Sequence, residues 1–382
     1  MDNMFEKTKA FCDSFLELGM PGFDLAVYHE GKCVLRYMNG YSDLENKIEM
    51  NGNERYNIYS CSKVITCVAA MQLWEKGMFD LEDRLSDYMP EFAEMTVKTE
   101  QGIKRSDKPI LIRHLFEMTA GFGYDCRSPQ LMAAISETDG KCPTREAMRY
   151  LAKEPLAFEP GERWEYSLCH DVLAALVEVL SGEKFEDYVK KNIFDVANMS
   201  HSTFMLPEEE LNTVATQYRF KNGRAENMGK SIAPFKLGSE YASGGAGCIS
   251  TVDDCIKLLE ALRTYKLLKS ETLKLMMTDR LTECQKRTYW IQSTHGYGLG
   301  VRCPKSNDLQ GDFGWCGSAC AYMAIDVENK ISIYFGAHMR LSPAQGLRPM
   351  IYRFIRAEII NNSELDGVYE ELREVHNYDW VY

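Results

Sequence analysis

The feature that most constrains the fold is a β-hairpin pattern near each end of the chain. The stretch "FDLAVYHEGKCVLRYMNGY" (residues 23–41) predicts two strands joined by a turn at Glu30 and Gly31, because strand-like runs flank a turn dipeptide. Near the other end, residues 321–327 and 331–338 repeat this pattern around a polar turn at Glu328 and Asn329. Between the two hairpins, helical periodicity dominates.

The helices of the middle region are marked by their end signals. "VITCVAAMQLWEKG" stops at Gly77, "DVLAALVEVLSG" stops at Gly182, and "TVDDCIKLLEALRTY" carries acidic residues in its first turn. This arrangement predicts an α+β fold, in which an antiparallel sheet built from both chain ends is flanked by helices and a mainly helical region is inserted. We expect residues 1–60 and 286–382 to form the sheet domain and residues 61–285 the helical domain, with a small-molecule site in the cleft between them.

Charge and cysteine usage exclude several classes of function. The net charge is −12 without a lysine- or arginine-rich run, so we expect neither a nucleic-acid nor an anionic-membrane partner. The first residues predict a charged amphipathic helix instead of a secretory signal, and no stretch is apolar enough to span a bilayer. Thirteen cysteines without a CxxC pair predict free thiols in a reducing cytoplasm. The seven histidines are scattered without an HExxH motif, so we expect no metal and no cofactor.

A candidate nucleophile lies in "NIYSCSKVITCVAAMQLWEKG" (residues 57–77). The i, i+3 spacing of Ser60 and Lys63 places both side chains on one face of a helix. A serine hydroxyl is a weak nucleophile until a base takes its proton, and burial lets a lysine act as that base by disfavouring the ammonium form. On spacing alone, a plain helix N-cap is the simpler interpretation of Ser60. A second SxxK match, at residues 181–184, falls where a helix ends and is read as chance.

The wider pattern resembles the serine β-lactamase and penicillin-binding-protein-like superfamily, particularly its class C and esterase-type branches. Five segments carry the resemblance in order, from about Pro21 to about His338. They are "MQLWEKGMFDLEDRLSDYMPEF", "ILIRHLFEMTAGF", "FEPGERWEYSLCHDVLAALVEVLSGEKFEDYVKKNIFDVANM", "SGGAGCISTVDDCIKLLEAL" and "FGWCGSACAYMAIDVENKISIYF". The resemblance implies a β-lactamase/transpeptidase-like fold and an acyl-enzyme mechanism.

Carried over residue by residue, the resemblance also implies catalytic roles. Ser60 is then the acylated nucleophile, Lys63 its partner, and Tyr166 the hydroxyl that relays the proton. The third motif, Trp315-Cys316-Gly317, is expected to line the site at a strand edge. The backbone N–H groups of Ser60 and Ser318 are expected to form the oxyanion hole.

Two departures from the family pattern bear on the substrate. Leu168 stands where many members have Asn, and it can neither donate nor accept a hydrogen bond to a substrate amide. Trp315 stands where many members have a Lys or His that helps to bind a carboxylate, and it offers an apolar face instead. Both changes favour a small neutral ester or acyl substrate with an apolar acyl group. Arg302 or Arg340 remain open as a cation from elsewhere in the chain.

Other catalytic arrangements receive less support from the sequence. His170 and Asp171 follow Tyr166 closely, but adjacent residues do not easily line up as a triad with Ser60, so we read His170 as a packing residue. No GxSxG elbow is present, which argues against an α/β-hydrolase fold. The predicted function is a serine hydrolase that acts on a small-molecule ester, amide or β-lactam-like substrate. The alternatives are a β-lactamase or D-amino-acid peptidase on the same residues, and a non-catalytic binding relative. The sequence leaves the oligomeric state open.

Overall fold

The secondary structure is described by a computed structural model for residues 4–231, 235–291, 294–305 and 311–360. Its strands are β1 (Gly22–His29), β2 (Lys32–Asp43), β3 (Ile48–Glu49), β4 (Tyr56–Asn57), β5 (Thr96–Thr99), β6 (Gly102–Arg105), β7 (Tyr218–Lys221), β8 (Arg224–Asn227), β9 (Ile249–Ser250), β10 (Gly296–Tyr297), β11 (Arg302–Cys303), β12 (Phe313–Cys316), β13 (Tyr322–Asp326), β14 (Ile331–Ala337) and β15 (Met339–Arg340). Its helices are α1 (Glu6–Glu17), α2 (Ser62–Glu75), α3 (Ile112–Phe116), α4 (Pro129–Glu137), α5 (Thr144–Leu151), α6 (Cys169–Ser181), α7 (Phe185–Val189), α8 (Asp195–Ala197), α9 (Val252–Arg263), α10 (Ser270–Met276), α11 (Glu283–Lys286) and α12 (Met350–Ile360).

The main sheet joins strands from both ends of the chain. Its order is β10-β11-β12-β13-β14-β1-β2-β3, and its neighbouring strands are antiparallel. β1 lies between β14 and β2, so that Phe23 pairs with Ala337 on one side and with Asn39 on the other. The predicted α+β fold with a sheet built from the two chain ends is confirmed.

Both predicted hairpins are present. β1 and β2 are joined by Glu30 and Gly31, whose φ angles of 52° and 81° are those of a two-residue turn that matches the twist of the strands. β13 and β14 are joined by residues 327–330, where Asn329 donates its backbone N–H and its side-chain amide to Asp326. Both strands of this second hairpin are slightly shorter than the sequence predicted.

Helices cover the two faces of the sheet. α1 and α12 pack together on one face, where the rings of Phe11 and Phe354 lie 4.7 Å apart and that of Phe15 contacts Phe335 at 5.7 Å. α12 is described as far as Ile360, and the residues that follow lie outside the described ranges. α9 packs against the opposite face, where Val252 lies against Gly336 of β14. No helix in the described ranges is both long and apolar enough to cross a membrane.

α2 is buried on nearly all sides, which fixes the start of this helix in the protein interior. Residues 62–71 are all buried, because the run "SKVITCVAAM" is small or apolar around the whole helix. The helix packs mainly against α6, and its N-terminal end approaches β12 of the main sheet. The division into a sheet domain and a helical domain stays a prediction, while the start of α2 lies where sheet and helices meet.

Candidate active site

Ser60 lies in a tight turn that leads into α2. Residues 59–61 form one 3₁₀ turn, and Tyr59 has a left-handed backbone with φ 48°, a conformation that costs a non-glycine residue about 1–3 kcal/mol. Ser62 stabilises this turn, because its hydroxyl donates to the Tyr59 carbonyl at 2.6 Å and accepts from the Cys248 N–H at 3.0 Å. Cys61, not Ser60, occupies the N-cap position of α2, so the N-cap interpretation of Ser60 is wrong.

Two side chains, one from the same helical turn and one from a distant segment, meet at the hydroxyl oxygen of Ser60. The Tyr166 hydroxyl donates to Ser60 Oγ at 2.6 Å, and Lys63 Nζ donates to the same oxygen at 3.5 Å. The Lys63 amine also lies 4.5 Å from the centre of the Tyr166 ring. Ser60 and Tyr166 are partly exposed whereas Lys63 is fully buried. An incoming substrate can therefore reach the serine, while the amine behind it is shielded from water.

The Lys63 amine donates hydrogen bonds to neutral acceptors. Its shortest hydrogen bond is to the Gly245 carbonyl oxygen at 2.7 Å, and in the described residues no carboxylate lies within ion-pairing distance of it. Gly245 belongs to the turn "SGGAG" (residues 243–247), where a Cβ atom on Gly245 would lie 2.5 Å from Asp171 Oδ2. Asp171 in turn accepts hydrogen bonds from Tyr241 at 2.8 Å and from Ser243 at 2.7 Å. This buried carboxylate holds the glycine turn against the lysine.

β12 separates two different environments, because successive side chains of a strand point to opposite faces. The Trp315 ring stacks on Tyr166 at 6.1 Å and belongs to the core around α2. Cys316 points the other way, where Arg302 Nη1 donates to its sulfur at 3.8 Å. Among the described residues β11 pairs with β12 only through Arg302 and Gly314, so this pairing stops before Trp315, and the position of the third motif at a strand edge stays a prediction.

The turn after β12 comes close to the segment before Ser60. A Cβ atom on Gly317 would lie 2.5 Å from the Ile58 carbonyl oxygen, so only glycine permits this approach. Arg348 donates to the Gly317 carbonyl at 2.7 Å, and Gln345 donates to the Ser318 carbonyl. Within the described part of the chain, the Ser318 N–H donates no backbone hydrogen bond.

Aromatic rings form the walls of the site. The Tyr166 ring contacts Trp290 at 5.0 Å and Tyr124 at 5.2 Å, and Tyr124 contacts Phe235 at 5.7 Å. Trp290 is 51% exposed and forms the outer part of this wall. The arrangement offers flat apolar surfaces on several sides of the serine, with few hydrogen-bonding groups apart from the hydroxyls.

Tyr124 is a site residue that the sequence analysis missed. Burial raises the pKa of its phenol well above the usual value, and the Ser60 hydroxyl is among its hydrogen-bonding partners. Its ring lies 5.5 Å from the Lys63 amine. The available signal was its position two residues after the segment "ILIRHLFEMTAGF", which carries part of the family resemblance.

Leu168 and His170 belong to the protein core. Leu168 is 3% exposed, and its N–H donates to the Gly123 carbonyl at the start of α6. His170 is fully buried, with Nε2 lying 3.6 Å from Cys67 Sγ and 3.4 Å from the Phe116 carbonyl oxygen. Burial, with the nearby Lys63 charge, lowers the pKa of His170 to about 3. A histidine that stays neutral in the core agrees with its interpretation as a packing residue.

A buried ion pair lies on the opposite side of β12 from Trp315. Arg302 donates to Asp312, and both side chains are at most 2% exposed. Tyr322 donates to the same carboxylate at 2.8 Å, and His295 Nε2 lies 3.3 Å from it. Although burial alone would raise it, the pKa of Asp312 is held below its usual value by Arg302 and His295. We name these four residues the Asp312 cluster.

Other candidate sites are separate from Ser60. A cavity of about 350 Å³ is lined mainly by charged and polar side chains, among them Asp279, Lys286 and His295, and it does not include the serine. Among the described residues, no group of three or more histidine, cysteine, aspartate or glutamate side chains is arranged to hold a metal ion.

Several known proteins are similar to this chain in sequence or in structure. The family model described as Beta-lactamase matches residues 1–341. Esterase EstB of Burkholderia gladioli is 28% identical over 284 residues, which cover 69% of this chain and 71% of the esterase. Acyltransferase calJ of Penicillium decumbens is 27% identical over 314 residues, which cover 73% of this chain and 74% of that protein. The solved structure of EstCE1, a hydrolase with promiscuous acyltransferase activity, superposes with a TM-score of 0.74 at 24% identity and covers 92% of this chain and 97% of its own. The chain therefore belongs to the beta-lactamase family, within the superfamily of β-lactamase-like serine hydrolases.

Proposed function

We propose that the protein is a serine hydrolase that cleaves small esters through an acyl-enzyme formed on Ser60. One observation carries the proposal. Lys63 Nζ and Tyr166 Oη both lie within hydrogen-bond distance of Ser60 Oγ, at 3.5 Å and 2.6 Å. A hydroxyl flanked by two groups that can exchange its proton is the arrangement that nucleophilic catalysis requires.

The reaction proceeds in two steps on these residues. Ser60 Oγ attacks the ester carbonyl, while its proton passes to the pair formed by Tyr166 and Lys63. The tetrahedral intermediate then expels the alcohol, which takes up that proton, and the acyl group remains on Ser60. In the second step water, or another acceptor, gives a proton to the same pair as it attacks the acyl carbonyl. Collapse of the second intermediate frees the acid and returns the proton to Ser60.

In both steps negative charge develops on the carbonyl oxygen of the substrate, and hydrogen-bond donors are needed to stabilise it. The backbone N–H groups of Ser60 and Ser318 are the proposed oxyanion hole. Support for this role comes from Gly317, which allows the turn after β12 to approach the segment before Ser60. The unused Ser318 N–H, together with the side chains that fix its turn, fits a donor that is positioned before substrate arrives.

The Trp315 side of the site favours the apolar part of an acyl group. Trp315 and Tyr166 present aromatic faces where a cation would bind a substrate carboxylate, and apolar surface gains about 25 cal/mol per Å² on leaving water. The relatives named as an esterase and an acyltransferase are consistent with transfer of an acyl group to water or to another alcohol. Cys316 and Leu168 contribute less to this surface, because Cys316 faces Arg302 and Leu168 is buried in the core.

Two measurements test the proposal together. We expect the purified protein to hydrolyse p-nitrophenyl acetate and butyrate, and a fluorophosphonate probe to label Ser60 in a 1:1 ratio. Ser60→Ala should abolish both, and Tyr166→Phe should slow turnover by at least about 100-fold because the relay hydroxyl is lost. Ser181→Ala is the matched control, since it removes the serine of the second SxxK match, at the far end of α6, where its hydroxyl donates to the Val177 carbonyl at 2.6 Å.

Two results would contradict the proposal. Turnover of a chromogenic cephalosporin without turnover of the esters indicates a β-lactamase or peptidase on the same residues. Absence of both activities, with no labelling of Ser60 in correctly folded protein, indicates a binding protein that does not catalyse acyl transfer.

A further inference from the structure

Arg340 is a cation at the rim of the site that the proposed mechanism does not use. It ends β15, immediately after the last long strand of the main sheet. Its guanidinium lies 5.8 Å from the centre of the Tyr59 ring and 5.7 Å from that of Phe235. Its Nε donates to the Ser318 hydroxyl at 3.4 Å.

The neighbours of Arg340 connect it to the segments that carry the site. Tyr59 immediately precedes Ser60, and Ser318 forms the turn that supplies the proposed oxyanion donor. Phe235 connects Arg340 to the aromatic wall, because its ring also contacts Tyr124. Arg340 therefore lies on the side of the site formed by this turn, whereas the Trp315 side is apolar.

Arg340 has no counter-charge in the described part of the chain. No carboxylate there lies within ion-pairing distance of its guanidinium, whereas Arg219, its partner on the adjacent strand β7, pairs with Glu226 at 2.7 Å. A guanidinium carries five N–H donors, and the Ser318 hydroxyl uses one of them. The side chain is half-buried between two rings, and partial exclusion of water strengthens its attraction for an anion.

We propose that Arg340 binds a carboxylate group of the substrate, so that the protein prefers esters carrying a free carboxylate at the end remote from the leaving alcohol. This inference rests on the proposed ester hydrolysis. The planar fork of a guanidinium matches a carboxylate in a two-point contact, which fixes orientation as well as charge. The apolar part of the acyl chain then lies along the aromatic wall, and its carboxylate reaches Arg340.

The test compares two esters that differ in one terminal group. Mono-p-nitrophenyl adipate carries a carboxylate where p-nitrophenyl hexanoate carries a methyl group. We expect wild-type kcat/KM to be higher for the adipate by about 10-fold or more, mainly through KM, and the ratio to approach one in Arg340→Gln. Arg340→Lys should retain part of the preference. Arg219→Gln is the matched control, since it removes the same charge outside the site and should leave the ratio unchanged.

The outcomes separate the inference from the proposed function. Hydrolysis of the hexanoate with no preference for the adipate overturns the role of Arg340 and leaves ester hydrolysis intact. An equal loss of kcat on both esters in Arg340→Gln also overturns it, because that result assigns Arg340 to the reacting carbonyl. If Arg340→Gln does not fold, inhibition of hexanoate turnover in the wild type decides the matter. Adipate should then compete with the ester, more weakly as salt rises, and hexanol should not.

Discussion

Two buried cations, Lys63 and Arg302, lie on opposite sides of β12 and are stabilised by opposite means. Arg302 donates to Asp312, within a cluster in which Tyr322 and His295 also contact the carboxylate. Lys63 contacts the Gly245 carbonyl and the Ser60 hydroxyl, and its described surroundings offer it no ion pair. Both side chains are almost completely removed from water.

The two cations therefore have different roles. Arg302 fixes the fold, whereas Lys63 is the proposed partner of Ser60 in proton transfer. A buried charge with a counter-ion holds its proton and fixes the elements that carry it, here β11 and the residue before β12. A buried amine that donates only to neutral acceptors has no ion pair to hold it, so it can shift its hydrogen bonds between the Gly245 carbonyl and Ser60 during a reaction. The four predictions below test this contrast, beginning with the largest effect.

Replacing Lys63 with an arginine, which is always charged, should have the largest effect on ester turnover. In Lys63→Arg the guanidinium cannot lose its proton, so we expect ester turnover to fall on the order of 10⁴-fold, about 5.5 kcal/mol in barrier. Lys63→Met, which removes the charge, should fall by a similar factor, because the loss of the base and not of the charge is decisive. Steady-state kinetics on protein with unchanged near-UV circular dichroism measures both. A Lys63→Arg variant with more than a tenth of wild-type activity would show that the amine need not exchange a proton.

Removing Asp312, the counter-ion of Arg302, should lower the stability of the fold. Asp312→Asn leaves the Arg302 charge buried without compensation, so we expect the free energy of unfolding to fall by roughly 3–5 kcal/mol. Urea denaturation measures this loss. Adding Arg302→Met to the same variant should restore most of it, because no unpaired charge then remains. If the double variant is as unstable as the single one, the contact geometry matters more than the charge.

His170 is buried without a counter-charge, and the effect of this burial can be tested through the pH dependence of the free energy of unfolding. Its pKa of about 3 lies below the ordinary value of 6.5, so the unfolded state binds the proton more tightly. The corresponding stability is present above pH 6.5 and is lost as the pH falls toward 3, by about 1.4 kcal/mol per pH unit. His170→Gln should reduce the slope of unfolding over that range, while His114, whose pKa burial also lowers to about 3, keeps its own contribution. Equal slopes in variant and wild type would mean that His170 is protonated in the fold.

The smallest expected effect belongs to Tyr124. Tyr124→Phe keeps the ring contacts with Tyr166 and Phe235 but removes a hydroxyl near Ser60, so we expect kcat to fall by about 3- to 10-fold. Tyr37→Phe, which removes a hydroxyl bonded to Asp13 far from the site, is the control and should leave kcat unchanged. A loss as large as that of Tyr166→Phe would make Tyr124 a full member of the proton relay.

The sequence predicted those parts of the site that short segments encode. Ser60 and Lys63 share one helical turn, and Tyr166 lies in a segment that the family pattern identifies. Tyr124 and Gly245 were missed although they lie beside or within segments of the family pattern, because their roles depend on contacts between segments that are distant in sequence. For the fold, likewise, the sequence predicted the two hairpins but not the pairing of Arg302 with Asp312.

The orientation of Cys316 follows from a rule that the sequence alone could have supplied. Adjacent residues of a strand face opposite sides, so Trp315 and Cys316 cannot both point into one pocket. The expectation that Trp315, Cys316 and Gly317 all line the site did not take this alternation into account. Leu168 differs, because its burial at the start of α6 depends on how that helix packs, and spacing alone does not reveal it.

The position of β1 between β14 and β2 also bears on how the enzyme is made. During synthesis the serine and its lysine leave the ribosome long before β14 exists to complete the sheet. Nascent chains should therefore remain inert until the final strand is released, and long-range strand pairing of this kind makes folding slow. Two separately expressed fragments, cut in a surface loop ahead of β10, should then regain turnover only when mixed.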